Sequence, residues 1–415
     1  MADLLPEECA RWVRAEAIVR EVMRRFGFGE IRFPVMEPTE LFERGIGATT
    51  DIVQKEMYIL TDRGDRSVTL RPEGTPSVVR AYLEESLGAR RPAWKLFFVG
   101  PMFRAERPQP GRLRQFHQFG AELIGPEGPE ADVELISLGD AVLRSLGVKE
   151  FQLVINSIGS PHTRGDHNAA LRWFLASAAV QEAVCPDCRR RAQTNPLRVF
   201  DCKVEQCRWI FADAPTVAQF LTAADQRHFN AVRTGLDRLK IAYVTDERLV
   251  RGFDYYTRTT FEFQGTDPGA QDSLIGGGRY DALVETLGGP PTPAAGFAGG
   301  LERILAASPA AQSPTVEDRL DVFVCALSPA ASELAPEILA TLRRLGLSAD
   351  RDFRQRGLEA QMEEADRSGA RQVLIIGDEE IARGRLILRA TDTSAQTEID
   401  ADHRRWTTAQ FRGDG

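Results

Sequence analysis

The chain has 415 residues, 43% of them hydrophobic and 27% charged, the make-up of a soluble globular protein too long for one ordinary core, so two or three domains are expected. Its formal charge of -8 argues against a protein that coats nucleic acid non-specifically, while leaving room for a local basic face. No apolar run approaches the roughly 18 residues of a membrane span, and the start MADLLPEECARW lacks the basic and apolar regions of a signal peptide, so a cytoplasmic location is expected.

Residues 6–26 set Trp12, Ala15, Val19, Val22 and Phe26 at helical spacing and end at Gly27, which suits a C-cap; this predicts an amphipathic helix. GEIRFPVMEP then reads as a strand. Pro34 has no N–H to donate, which places that strand at a sheet edge or against a partner. VTLRPEGTPSVVRAY runs from a strand into a helix through Glu73, Gly74 and Thr75, where a helix cap is the plainest reading.

Residues 96–125 read as two apolar strands joined by a loop rich in Arg, Pro and Gln, too long and too charged for a tight turn. Arg104 and Glu106 on the incoming strand, and Gln118 and Glu122 on the outgoing one, fall at even spacings, so each pair faces one side of a sheet and lines a pocket floor. VINSIG is a further strand, after which a polar, mostly helical insertion at about 160–240 breaks the pattern.

The insertion holds Cys185, Cys188, Cys202 and Cys207, spaced Cys-x2-Cys, 13 residues, Cys-x4-Cys. That is near a zinc ribbon without matching it, so the expectation is reduced thiols gathered in one small subdomain, with zinc as the second reading. Arg189, Arg190, Arg191 and Lys203 make the region locally basic.

Residues 249–289 hold the densest chemistry. Arg251, Asp254, Tyr255 and Tyr256 precede a β-favouring run, and Arg279, Tyr280 and Asp281 follow the glycines Gly276 to Gly278. Glycines there and at Gly252 let a ligand approach backbone. Read alone, Arg251 and Asp254 suit a surface pair; the second cluster favours a site for a small polar substrate. PTPAAGFAGGLERILA reads as a glycine-rich turn feeding a helix that carries Arg303. Residues 307–319 have the composition of a linker, and the remainder alternates strand and helix as a compact α/β domain without a catalytic cluster.

LVRGFDYYTRTTFEF and IGGGRYDALVETLGG resemble the paired histidine-specific signatures of histidyl-tRNA synthetases, a class II aminoacyl-tRNA synthetase family, and the likeness covers nearly the whole chain. It departs at the amino end, where only Met1, Ala2 and Asp3 precede the LLP segment. The resemblance implies an α+β protein with an antiparallel-sheet catalytic domain over residues 1–306. It also implies an insertion that clamps the tRNA acceptor arm, a linker at 307–319 and an α/β anticodon-binding domain at 320–415.

By the same resemblance Glu73, Gly74, Thr75, Gln118, Glu122, Arg251, Tyr255, Tyr256 and Tyr280 bind histidine, with Glu122 and the Tyr256 hydroxyl on the two imidazole nitrogens. Arg104, Glu106, Arg112 and Arg303 bind ATP, Arg104 and Arg251 act on the α-phosphate, and Gln109 and Arg112 approach the tRNA. ATP would enter with Mg²⁺, with no prosthetic group, and the first helix with the Pro34 strand would form a homodimer interface. Two other readings share features: a histidine-sensing regulatory subunit of ATP phosphoribosyltransferase, and a prolyl or threonyl synthetase.

Overall fold

The structure, a computed structural model, describes residues 3–48, 50–106, 112–265, 273–308 and 319–412. The chain divides into two compact units, residues 1–313 and 314–415. Most of the segment at 307–319 lies outside the described residues. Among those described, no helix is long and apolar enough to cross a membrane.

In chain order the strands of the first unit are β1 (Gly29–Glu30), β2 (Met36–Pro38), β3 (Tyr58–Thr61), β4 (Ser67–Leu70), β5 (Trp94–Phe103), β6 (Gln115–Ile124), β7 (Phe151–Ser157), β8 (Val244–Thr245), β9 (Thr257–Gly265), β10 (Ser273–Arg279) and β11 (Ala294–Gly300). Eight of them make one sheet in the order β1-β5-β6-β11-β10-β9-β7-β8. Its six central strands are antiparallel, with a two-residue parallel strand at each edge. β2, β4 and β3 form a separate three-stranded antiparallel sheet.

Side chains alternate across a strand, and here the alternation separates two functions. Phe97, Phe119, Ala121, Leu123, Phe261, Phe263, Ile275, Ala295 and Phe297 point to one face and join the largest core cluster. The helices Pro6–Arg25, Glu130–Ser145 and Ala223–Leu239 cover that face with Val19, Met23, Leu135, Val142, Val232 and Leu236. The first helix ends where its spacing predicted: Gly27 takes φ +79°, and the N–H groups of Gly27 and Phe28 reach back to the Arg24 and Met23 carbonyls.

Three expectations are corrected. Residues 31–35 form no strand; the chain passes from β1 to β2 around Pro34, and the Arg71 guanidinium holds the turn by donating to the carbonyls of Phe33 (2.7 Å) and Pro34 (3.3 Å). The glycine-rich run before Arg303 is strand β11, not a turn, because it sits inside the sheet between β6 and β10, where its missing side chains make room for neighbours. The first helix needs no second chain to cover it, since its apolar face is buried in this unit's own core.

Between β7 and β9 the insertion consists of the helices Pro161–Leu175, Ala178–Ala183, Pro186–Thr194 and Glu205–Phe211, leading into Ala223–Leu239. It has its own small core of Leu171, Leu175, Val184, Val199, Phe211 and three of the cysteines. The second unit is a mixed five-stranded sheet: β12 (Val322–Ala326), β13 (Ala349–Arg351), β14 (Gln372–Ile376), β15 (Arg385–Ala390) and β16 (Gln396–Asp400), in the order β13-β12-β14-β15-β16. Helices Pro329–Arg344 and Leu358–Arg367 pack on it.

Candidate active site

The sheet face turned away from the helices is short of side chains where it matters. A Cβ at Gly276 would lie 1.9 Å from an Arg251 guanidinium nitrogen, and one at Gly296 would lie 1.7 Å from a Glu122 carboxylate oxygen. Those two glycines therefore let a cation and a carboxylate lie flat on the strands. Gly74, at the mouth of helix Thr75–Glu84, rests on the Phe98 ring, 2.2 Å from where its Cβ would be.

Two buried carboxyls anchor the site. Glu122 on β6 accepts from the Thr75 hydroxyl (2.7 Å) and the Tyr280 hydroxyl (2.5 Å). Glu73 accepts from the Tyr255 hydroxyl (3.2 Å), and its second oxygen is buried without a hydrogen-bond partner. The plain capping reading of this segment is thus corrected: Gly74 is the N-cap, no side chain caps the helix, and Thr75 and Glu73 turn their polar groups inward. Burial pushes the Glu122 carboxyl up to about 8, against the pull of Tyr280 and Thr75. It pushes Glu73 up to about 7, against the Arg104 charge and the Tyr255 and Thr75 bonds.

Tyr255, Tyr256 and Tyr280 wall this pocket. Tyr255 meets Tyr256 at 4.7 Å and Tyr280 edge-on at 5.7 Å between ring centres. Burial raises the Tyr256 phenol to about 12 despite the opposing Arg251 charge, so it stays a neutral hydroxyl. Gln118 lies on the same face of β6 as Glu122, and its amide oxygen is buried without a partner.

Arg251 comes from the loop before β9, and its partner is Glu262 (2.8 Å), not Asp254. Asp254 instead accepts from the Asn195 amide (2.6 Å) of the insertion, in line with the site reading that the second cluster favoured over a surface pair. Burial disfavours the Arg251 charge, but Glu262 and its other neighbours hold its pKa above the ordinary value. Its Nε is buried without a hydrogen-bond partner.

Beside this pocket the second group of arginines gathers. Arg104 and Glu106 lie beyond the end of β5 and not within it, so the even-spacing argument fails for that pair; the strand stops at Phe103 and only the Arg104 N–H continues the ladder, to the Arg114 carbonyl. Arg104 donates to the Pro72 carbonyl (3.0 Å) and stacks over Phe116. Glu106 holds Arg112 (2.9 Å), and Arg303 donates to the Ser273 carbonyl (3.0 Å). Burial together with the Arg112 and Arg104 charges lowers the Arg303 pKa, against the pull of Glu106 and Glu262. Gln109 lies outside the described residues.

Arg279 belongs elsewhere. It points to the helix face, fully buried, and donates to Asp132 (3.0 Å), Asp281 (2.9 Å) and the Pro126 and Gly128 carbonyls. Sequence reading missed Glu262 and Asn195 as partners at the site, and Glu302, which accepts from the His117 N–H at 2.8 Å. Glu262 was within reach of the strand period, since it shares a face with Gln264 and Thr260 next to Gly276; Asn195 gave no local signal.

Chemically, one sheet face offers a pocket of neutral hydroxyls and two high-pKa carboxyls, joined to a shelf of arginines. The first suits a small amine carrying a polar ring, the second a phosphate chain.

A histidyl-tRNA synthetase family model matches residues 1–304, and an anticodon binding domain model matches residues 321–403. The histidine–tRNA ligase of Moorella thermoacetica is 48% identical over 398 residues, covering 96% of this chain and 94% of its own. That of Nitratidesulfovibrio vulgaris strain DP4 is 46% identical over 401 residues, with 97% and 95% covered. Among solved structures, apo histidyl-tRNA synthetase of S. aureus superposes with a TM-score of 0.81 at 36% identity, over 97% of this chain and 96% of that one. An ATP phosphoribosyltransferase regulatory subunit/histidyl-tRNA synthetase from Bacillus halodurans C reaches 0.65 at 21% identity, over 90% and 96%, a likeness of fold alone.

Proposed function

The chain belongs to the histidyl-tRNA synthetase family, and from that premise we infer that it is a histidine–tRNA ligase, forming histidyl-adenylate and pyrophosphate from histidine and ATP and passing histidine to the 3′ end of its tRNA. The observation that carries the reading is the meeting, on one sheet face, of Arg251 over Gly276 with the Glu73–Tyr255 and Glu122–Tyr280 pairs. The regulatory-subunit reading shares the fold, but the relatives at 45–48% identity over 96–97% of this chain are histidine–tRNA ligases.

The division of labour we propose follows the geometry. Glu73, with its unpartnered buried oxygen, and Thr75 beside Gly74 receive the α-ammonium. Glu122 faces one imidazole nitrogen and the Tyr256 hydroxyl the other, with Tyr255, Tyr280 and Gln118 closing the pocket. A side chain lacking either nitrogen leaves a buried polar group unpaired, which is how discrimination arises. The carboxylate of histidine then attacks the α-phosphorus of ATP, which enters as its Mg²⁺ complex.

No nucleophilic side chain is required for that step, because positioning and charge stabilisation supply the acceleration. Arg251 and Arg104 take the charge growing on the α-phosphate oxygens, Glu106 meets the adenine amino group, and Arg303 and Arg112 hold the outgoing phosphates. Arg112, and Gln109 outside the described residues, are assigned to tRNA contact. The basic insertion binds the acceptor arm, the second unit binds the anticodon, and no prosthetic group takes part. We place the protein in the cytoplasm.

A homodimer is part of the proposal, on a surface other than the first helix. The three-stranded sheet leaves Met36 and Leu60 about half exposed on one face, with Ile59 half exposed on the other, apolar surface suited to a second copy. Sedimentation of the pure protein at micromolar concentration should show a dimer, and an active monomer there would remove it. The function itself is tested by pyrophosphate exchange with each amino acid: only histidine should drive it, and a chain inert with all of them would revive the regulatory reading.

A further inference from the structure

The insertion's four cysteines, 22 residues apart at the extremes, come from three separate pieces of chain: Cys185 at the start of helix Pro186–Thr194, Cys188 within it, Cys202 after the turn Pro196–Asp201, and Cys207 in helix Glu205–Phe211. Their four sulfurs nevertheless all lie within 4.8 Å of one another, Cys185 and Cys202 at 3.9 Å. Three of the four are buried and all are free thiols.

Packing alone gives no reason for this. A core needing small apolar filler gains nothing from aiming four sulfurs at one point, since thiols are weak hydrogen-bond partners for one another. A disulfide needs sulfurs at about 2.05 Å, so none is formed. A tetrahedral zinc thiolate, with Zn–S near 2.3 Å, needs sulfurs about 3.8 Å apart, close to what is seen. A four-iron cluster would spread its ligands around a cage of iron and sulfide, wider than this nest allows.

The surroundings suit thiolates. The Cys185 N–H donates to the Cys207 sulfur at 3.2 Å, and the Cys188 N–H to the Cys185 sulfur, the backbone support that metal-bound sulfur receives. Four thiolates around one divalent ion leave two negative charges, and Arg189, Arg190 and Arg191 follow on the same helix.

We propose that Cys185, Cys188, Cys202 and Cys207 bind one Zn²⁺ as a tetrathiolate, each thiol releasing its proton as the Zn–S bond forms. The ion's work is structural. It clips both ends of the segment that carries Arg191, Asn195 and Arg198, and that segment grips the loop holding Arg251, where Arg198 donates to the Gly252 carbonyl (3.1 Å) and Asn195 holds Asp254, and also the start of helix Ile52–Glu56, where Arg191 and Arg198 meet Asp51 (3.2 and 3.4 Å). The closed site follows the structural pattern of zinc, with no position left open for water. Zinc, the second reading of the spacing, thereby takes the place of plain thiols in this proposal.

The test uses the full chain with Cys9→Ser and Cys325→Ser, so that only the cluster's thiols remain. Protein purified without chelator should carry one zinc per chain by elemental analysis, and an organomercurial should release it as four thiols are titrated. Exchange with Co²⁺ should give the thiolate charge-transfer bands and the strong visible absorption of a tetrahedral site. Cys207→Ser should lose the metal, and metal release should open residues 185–207 to protease. Protein that stays metal-free after incubation with Zn²⁺ while its four thiols titrate freely would overturn the proposal, as would a mass showing disulfides or bound iron with sulfide.

Discussion

Arg251 and Arg279 are two enclosed guanidiniums, each paired with carboxylate, that serve one β-strand from opposite sides. Arg279 has every nitrogen occupied by Asp132, Asp281 or a main-chain carbonyl. Arg251 spends one on Glu262 and keeps its Nε buried and unpartnered. Burial pushes the Asp132 carboxyl up, yet its contacts with His228 and Arg279 outweigh this and hold it below the ordinary range, although its other oxygen is buried without a hydrogen-bond partner. On the other face Glu73 and Gln118 also keep a buried polar atom without a partner. A buried cation whose donors are all used is a brace; what sets Arg251 apart is a spare donor on a face that glycines have cleared, among buried acceptors that are also unpartnered.

Substituting the two arginines is the sharpest way to break that contrast. Arg251→Ala should lower single-turnover adenylate formation by about 10²- to 10³-fold, the usual loss for one preorganised donor, with the fold intact; Arg251→Lys, lacking the planar fork, should recover only part. Arg279→Ala should instead lose about 3–5 kcal/mol of stability, because Asp132 is left buried with only His228 to meet its charge. A rate within a few-fold of wild type for the first, or an unchanged melting temperature for the second, would remove the distinction.

Neighbouring glycines give the same contrast at smaller scale. Gly276→Ala meets only the far end of Arg251, so it should spare the fold and displace the guanidinium, costing about 10²-fold in rate for an ångström of misplacement. Gly277→Ala, one residue on, meets the Gly296 carbonyl at 2.4 Å and the Phe261 ring at 2.7 Å. It should destabilise by about 1–3 kcal/mol of overpacking, read by denaturant titration.

Removing one hydroxyl is milder. Tyr280→Phe leaves Glu122 with Thr75 alone and should weaken histidine binding by roughly 3- to 10-fold, the worth of one net hydrogen bond, measured by calorimetry. A loss as large as that of Arg251→Ala would make the tyrosine more than a wall.

The smallest expected signal is a proton. With carboxyls near 7 and 8, Glu73 and Glu122 hold protons in the free protein below neutrality, whereas the unfolded chain releases them near 4.5. Their contribution to stability is therefore fully present below about 4.5 and is lost as pH rises through 7 and 8. An arriving α-ammonium favours ionisation, so histidine binding near pH 6.5 should release protons, detectable from calorimetry in buffers of different ionisation heat, and the release should fade above pH 8. Proton uptake would contradict the assignment.

Local signals carried much of this to view in the sequence. The first helix with its Gly27 stop, the long β5–β6 hairpin and the strands flanking Gly276 all follow from period and cap chemistry. What stayed hidden depends on partners distant in sequence. Arg279 and Arg251 look alike in the string, and only the strand parity, with Asp132 arriving 147 residues upstream, tells a brace from a ligand group. The run ending in Gly299 and Gly300 looks like a turn because its small residues are fitted to β6 and β10, which the string cannot show side by side. The cysteine spacing matched no familiar ribbon, yet helix and turn geometry bring the sulfurs together.

The strand order also sets a timetable for the ribosome. β5 and β6 leave the tunnel early, but the neighbour that covers the free edge of β6 is β11, Ala294–Gly300, the last strand of its sheet to be made. At roughly 5–20 residues per second, that ten-residue edge waits on the order of ten seconds or more with its main-chain groups unpaired. Gln118 and Glu122 of the candidate pocket stand on it, so a nascent chain arrested before residue 294 carries Glu122 on an open strand edge, the condition under which strands recruit the wrong partner.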